Sequence, residues 1–336
     1  MADAAHPSGA ADDASPVSTG ALPPPARVQS LVRAAYERFK ANDDGQNADH
    51  YPALADVPRS LFGICVVGAA GGVYAAGDAD APFTIMSVSK PFVFALVCQA
   101  LGAEAARAAL GVNATGLPFN SAAAVERSRD GRTNPMVNSG ALATTSLVPG
   151  ANLEAKWRFI QDGLARFAGR PLALDAEVYA SASAANHRNQ AIARLLECYG
   201  RLAFDPAETV DLYTRQCSLA TTARDLAVMA ATLADGGVNP ITHERAIDPG
   251  NCQRVLAVMA TAGLYETSGD WLYDIGLPGK SGVGGGIITV APGKGGMGTF
   301  APPLDEAGNS VKGQLAARFL ADRLGLNVFA SRPIAG

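Results

Sequence analysis

The sequence predicts an α+β fold: an antiparallel sheet contributed by both ends of the chain, with a helical part inserted between them. Two observations predict it. Short apolar runs separated by turn residues stand at 61–76 and again at 286–301, whereas the stretch from about 104 to 266 carries apolar residues mainly at helical spacing. With 48% hydrophobic and 17% charged residues, the chain also has ample material for a packed core and too little charge for a disordered one.

The elements follow in order. Residues 1–27 are rich in Ala, Pro, Ser and Asp and are expected to form a disordered tail, with 28–336 as a single domain. Val28, Leu31, Val32, Ala35 and Phe39 recur on one helix face, so 28–39 is expected to be an amphipathic helix. The polar stretch 42–49 reads as a loop. Residues 61–67 and 73–76 flank Gly71-Gly72, a hairpin signal, and 83–86 follows as a third short strand or an extended approach. Residues 88–101 are apolar on nearly every side, the mark of a helix buried inside a domain, and they stop at Gly102. Further on, 157–167, 189–199, 206–213, 221–233 and 251–262 fit helices, with Gly236-Gly237 closing the fourth. Strand character returns at 286–291 and 296–301, and 311–324 is the last helix. The sheet is thus expected from about 50–86 and 280–330.

Composition excludes several classes of function. Net charge is −4, with no run of Lys or Arg to follow a phosphate backbone, so no nucleic-acid partner is expected. Segment 1–27 lacks the basic start and apolar stretch of a secretion signal, and no later run approaches the roughly 18 uninterrupted apolar residues of a membrane helix. A cytoplasmic location without membrane contact is expected. Cys65, Cys98, Cys198, Cys217 and Cys252 show no CxxC spacing, and only four His accompany them. Free thiols in a reducing compartment, no metal and no cofactor are expected.

The chemistry centres on Ser87-Val88-Ser89-Lys90, an S-x-x-K at the start of the buried helix. A spacing of three puts both side chains on one helix face. A serine hydroxyl needs a base before it becomes a nucleophile, and a lysine amine serves once burial has lowered its pKa. Pro91 is tolerable in a first turn, and the free N–H groups of a helix start can hold an oxyanion. The chain is rich in Arg and has only Lys40, Lys90, Lys156, Lys280, Lys294 and Lys312, so a Lys beside the serine stands out; Arg does not deprotonate and could not replace it. A second element, Lys280-Ser281-Gly282-Val283-Gly284-Gly285-Gly286, precedes the strand-like run that begins at Ile287. Serine enzymes of the penicillin-binding type pair S-x-x-K with such a K-[ST]-G. A phosphate-binding loop would need the Lys after the glycines.

These blocks, with others in the same order, resemble the serine-dependent glutaminase family. Ser87–Lys90 resembles its S-[IV]-S-K. Asn134-Pro135-Met136-Val137-Asn138-Ser139-Gly140-Ala141 resembles N-P-M-[VI]-N-A-G-A, and Arg188-Asn189-Gln190-Ala191-Ile192-Ala193 resembles R-N-x-A-[IL]-A. Tyr213 with Gln216-Cys217-Ser218, Gly263-Leu264-Tyr265 with Ser268-Gly269, and Pro302-Pro303-Leu304-Asp305 with Gly308-Asn309-Ser310-Val311 complete the series. The resemblance implies a β-lactamase-like fold, deamidation of L-glutamine to glutamate and ammonia, and assembly as a homodimer or homotetramer. It further implies Ser87 as nucleophile, Lys90 as its partner and Tyr265 as a proton-moving phenol. Asn138, Asn189 and Tyr213 would hold the amino-acid end of the substrate, and the backbone N–H groups of Ser87 and Val283 would form an oxyanion hole.

Two positions depart from the family pattern. His50 stands where a pocket tyrosine is expected, with Tyr51 beside it. Ala182 stands where a glutamate would meet the substrate's α-ammonium, and losing such a partner weakens binding on the order of 2–5 kcal/mol. The expected alternatives are therefore a serine amidase with altered substrate or an amide-binding protein. A β-lactamase is disfavoured because Asn134–Ala141 is not an S-D-N motif, and a Cys217 amidase because no His lies near it in sequence.

Overall fold

The computed structural model describes residues 21–49 and 51–331. Five strands, β1 (Gly63–Gly68), β2 (Val73–Gly77), β5 (Gly279–Ser281), β6 (Gly286–Ala291) and β7 (Gly295–Phe300), form an antiparallel sheet in the order β2-β1-β7-β6-β5. The two chain ends meet inside it, with Gly63 opposite Phe300 and Val67 opposite Gly296. The expected sheet from both termini is therefore present, and β5 extends it to Lys280, whose K-S-G segment lies at the edge.

Both faces of the sheet are covered, which explains why β1 and β6 read as continuous apolar runs rather than alternating ones. Alternation survives in where the side chains go. Ile64, Val66, Ile287 and Met297 pack with Val28, Val32, Ala317 and Leu320 of the two terminal helices, Pro25–Phe39 and Val311–Arg323. Cys65 and Val67 face Ala227 and Ala231 of the Ala223–Ala234 helix. On β7 the residues facing that helix are glycines. A Cβ at Gly298 would fall 2.1 Å from the Ala223 carbonyl oxygen, and one at Gly296 2.3 Å from the Ala231 nitrogen. Helix and sheet are therefore in backbone contact.

Boundaries differ from expectation where capping decides them. The first helix begins at Pro25 rather than residue 28, because a proline fits a first helical position whatever the side-chain pattern. Residues 25–27, expected to belong to the tail, are helical, and residues 1–20 lie outside the described ones. The Ala223–Ala234 helix starts two residues later than spacing suggests. Thr222 caps it, accepting from the Asp225 N–H at 3.1 Å, while Asp225 accepts from the Thr222 N–H at 2.9 Å. Thr221 instead belongs to β4 (Ala220–Thr221), which pairs with β3 (Phe83–Thr84) and ties the helical part to the entry of the buried helix. That helix, Ser89–Leu101, is buried from Ser89 through Cys98, as its all-round apolar character implies. Among the described residues no helix is long and apolar enough to cross a membrane.

Candidate active site

Ser87 sits in a single 3-10 turn, Met86–Val88, that runs into the Ser89–Leu101 helix. The turn is entered through Met86 at φ 46°, a left-handed conformation unfavourable for a large side chain. The Ser89 hydroxyl donates to the Met86 carbonyl at 2.8 Å and braces this bend. Ser87 itself is 7% exposed, on the wall of a cavity of about 360 Å³. Val283, on the glycine loop between β5 and β6, forms part of the same wall. The loop packs closely there: a Cβ at Gly284 would lie 2.6 Å from the Thr84 carbonyl. Among the described residues the backbone N–H groups of Ser87 and Val283 have no backbone acceptor.

Lys90 lies one turn beyond Ser87 and is 1% exposed. Burial pulls its amine down to about 7, partly countered by the nearby Cys217. Its Nζ donates to Asn138 Oδ1 at 2.7 Å and to the Met136 carbonyl at 3.3 Å. A neutral amine has two N–H groups and one lone pair; the two acceptors take up the N–H groups and leave the lone pair for a proton.

Asn138 organises the adjoining wall. Its Oδ1 also accepts from the Tyr213 hydroxyl at 3.2 Å, and its Nδ2 donates to Asn189 Oδ1 at 3.0 Å. Asn189 donates to Asn186 Oδ1 at 2.7 Å, and Asn186 donates to the Thr214 hydroxyl. The series connects three helices, Asn138–Ser146, His187–Cys198 and Pro206–Cys217, and fixes each amide's orientation. Tyr213 is buried, and that burial pushes its phenol well above the usual range.

Tyr265 approaches from a second strained position, φ 55°. Its hydroxyl donates to the Ser281 carbonyl at 3.1 Å and lies against the Ser87 hydroxyl. Burial raises its pKa, so it stays a neutral proton donor and acceptor. Lys280 donates to the same carbonyl and holds its Nζ 4.4 Å from the Tyr265 ring centroid. Burial, then the charge of Lys90, push Lys280 well below the ordinary lysine value.

Ser87, Asn138, Asn189, Tyr213 and Val283 thus line one cavity, with Lys90 beneath it and Tyr265 beside it. Ala182 also lines it, in the Ala176–Ala184 helix. His50 lies outside the described residues. Tyr51 is on the cavity wall, its phenol raised to about 12 by burial and by Cys217. Sequence reasoning assigned no role to Tyr51, Phe119, Asn186 or Arg188, and named Lys280 only as the start of the K-S-G element. Asn186 stands three residues before Asn189, a spacing that offered a signal; Phe119 offered none, and its ring lies 4.4 Å from that of Tyr265. Cys217 lines the cavity, but burial raises its thiol, which disfavours the thiolate a cysteine nucleophile needs.

The chain is similar to several known proteins. The Glutaminase family model matches residues 45–329. "Glutaminase 2" of Yersinia pestis is 66% identical over 94% of this chain and 93% of its own length. "Glutaminase" of Colwellia psychrerythraea is 48% identical over 90% of this chain and 97% of its own length. Among solved structures, a probable glutaminase named ybaS superimposes with TM-score 0.90 at 46% identity, covering 91% of this chain and 99% of that one. A probable glutaminase from Bacillus subtilis complexed with 6-diazo-5-oxo-L-norleucine gives TM-score 0.80 at 32% identity, covering 91% and 97%. The fold is the β-lactamase-like one of these neighbours, and the chain belongs to the glutaminase family.

Proposed function

We propose that this chain hydrolyses the side-chain amide of L-glutamine to glutamate and ammonia through an acyl-enzyme on Ser87. The observation that carries the reading is Lys90: a fully buried amine, pulled down to about 7, with both N–H groups engaged, on the same helix face as a serine at a cavity wall. Ser87 Oγ attacks the amide carbon, and its proton passes to Lys90 with the Tyr265 hydroxyl as relay. The oxyanion is held by the Ser87 and Val283 N–H groups, which have no backbone acceptor. The C–N bond breaks, and the departing nitrogen takes the proton back. Water then adds to the acyl-serine, the same base accepts its proton and returns it to Ser87 Oγ as the acyl C–Oγ bond breaks, and glutamate leaves. Asn138, Asn189 and Tyr213 position the substrate. The reading extends to a cytoplasmic homodimer or homotetramer, checked by light scattering.

Ammonia release from L-glutamine by purified protein, beside Ser87→Ala, is the test. Release that falls by at least about a thousandfold in the variant is expected. Equal release from both would remove Ser87 from the mechanism.

A further inference from the structure

Among the described residues that line it, the cavity presents no carboxylate. Where its wall turns toward the Ala176–Ala184 helix it offers only the Ala182 methyl, on a residue 2% exposed. The polar groups nearby are neutral amides already tied to one another, Asn138 to Asn189, Asn189 to Asn186, and Asn186 to Thr214. Among the described lining residues the one formally charged side chain is Arg188. Its Nε donates to the Asn120 carbonyl at 2.8 Å, which fixes the guanidinium at the wall and leaves its terminal nitrogens without another partner among the described residues. Among the described lining residues, an ammonium entering this cavity meets a positive charge and no counter-charge, whereas a carboxylate meets the guanidinium of Arg188, exposed at the wall.

We propose that the site recognises its substrate by the amide and the carboxylate and does not require the α-ammonium. Its substrate class is primary ω-amides of short carboxylic acids, of which L-glutamine is one member beside amides whose α-amine is absent or acylated. The inference rests on the serine amidohydrolase reading above. The reaction is unchanged: one water is consumed, the amide C–N bond breaks, a C–O bond forms, and the products are a dicarboxylate and ammonium, with no change in oxidation state.

The experiment compares kcat/KM for L-glutamine, for 4-carbamoylbutanoate (glutamine without its amine) and for N-acetyl-L-glutamine, with wild type and Ala182→Glu. For the wild type, 4-carbamoylbutanoate within tenfold of glutamine is the expected result. A lower value overturns the inference while leaving glutamine hydrolysis in place. No ammonia from any of the three overturns the hydrolase reading and this inference together. In Ala182→Glu the ratio of the two values is expected to move at least tenfold toward glutamine. An unmoved ratio in folded variant would overturn the assignment of amine indifference to position 182.

Discussion

Lys90 shows how far a residue's surroundings can change its chemistry. In the fold its amine holds a proton only below about 7, whereas in the unfolded chain it does so up to the ordinary 10.5. Two consequences follow. Activity that needs the neutral amine should rise as pH climbs through about 7 and level off above it. Stability should also rise with pH between about 7 and 10.5, because the unfolded chain binds more protons there, and should be lost as pH falls through 7. Lys90→Met is expected to lower kcat on the order of 10²–10⁴-fold and to flatten the dependence of Tm on pH in that window. A variant with the wild-type pH–rate limb would show that another group supplies it. Ser87 and Lys90 were legible because chemistry and local spacing coincide in four consecutive residues. Tyr51 and Phe119 were not, since each acquires meaning only beside residues from distant segments.

At the scale of elements, strand and helix periods located most of the fold, but contacts set the ends. Residues 220–221 pair as a strand although two residues carry no period, and Thr222 stops a helix that hydrophobic spacing alone would have extended. The glycines of β7 illustrate the same limit. They read as weak strand formers, yet their missing side chains admit the Ala223–Ala234 helix against the sheet. Gly298→Ala should cost about 1–3 kcal/mol or more by forcing the two apart, read as a lower denaturant midpoint with an unchanged slope. A midpoint within experimental error of wild type would mean that the contact yields without cost.

For the whole molecule, the notable fact is that one apolar core crosses the boundary between sheet and helices. Phe83 stacks on Phe300 with ring centroids 4.0 Å apart, and Ile288, Val290 and Phe300 of the sheet share a cluster with Phe92, Leu96 and Leu164. Helical insertion and sheet are therefore expected to melt together. The two tryptophans permit the check, because Trp157 belongs to that shared core and Trp271 to the layer under the terminal helices. Trp157→Phe and Trp271→Phe, each leaving one fluorophore, should give coincident transitions. Separate midpoints would divide the chain into two folding units. The order of elements was legible in the sequence as strands, helices, strands; the continuity of the core was not, because it is made by residues about two hundred positions apart.

The closure of the sheet by both chain ends also has a history in time. β1 and β2 leave the ribosome early, but β7, the strand that pairs with β1, lies roughly 230 residues later. At about 5–20 residues per second, the hairpin waits roughly 10–45 s with one edge open. During that interval β1 offers unpaired backbone groups along Ile64, Cys65, Val66 and Val67, a template for pairing with any other nascent chain. The Val311–Arg323 helix that will cover one face of this strand is made later still. Yield should therefore depend on prompt completion of each chain or on a holdase guarding that hairpin, even though the finished protein has no such exposed edge at β1.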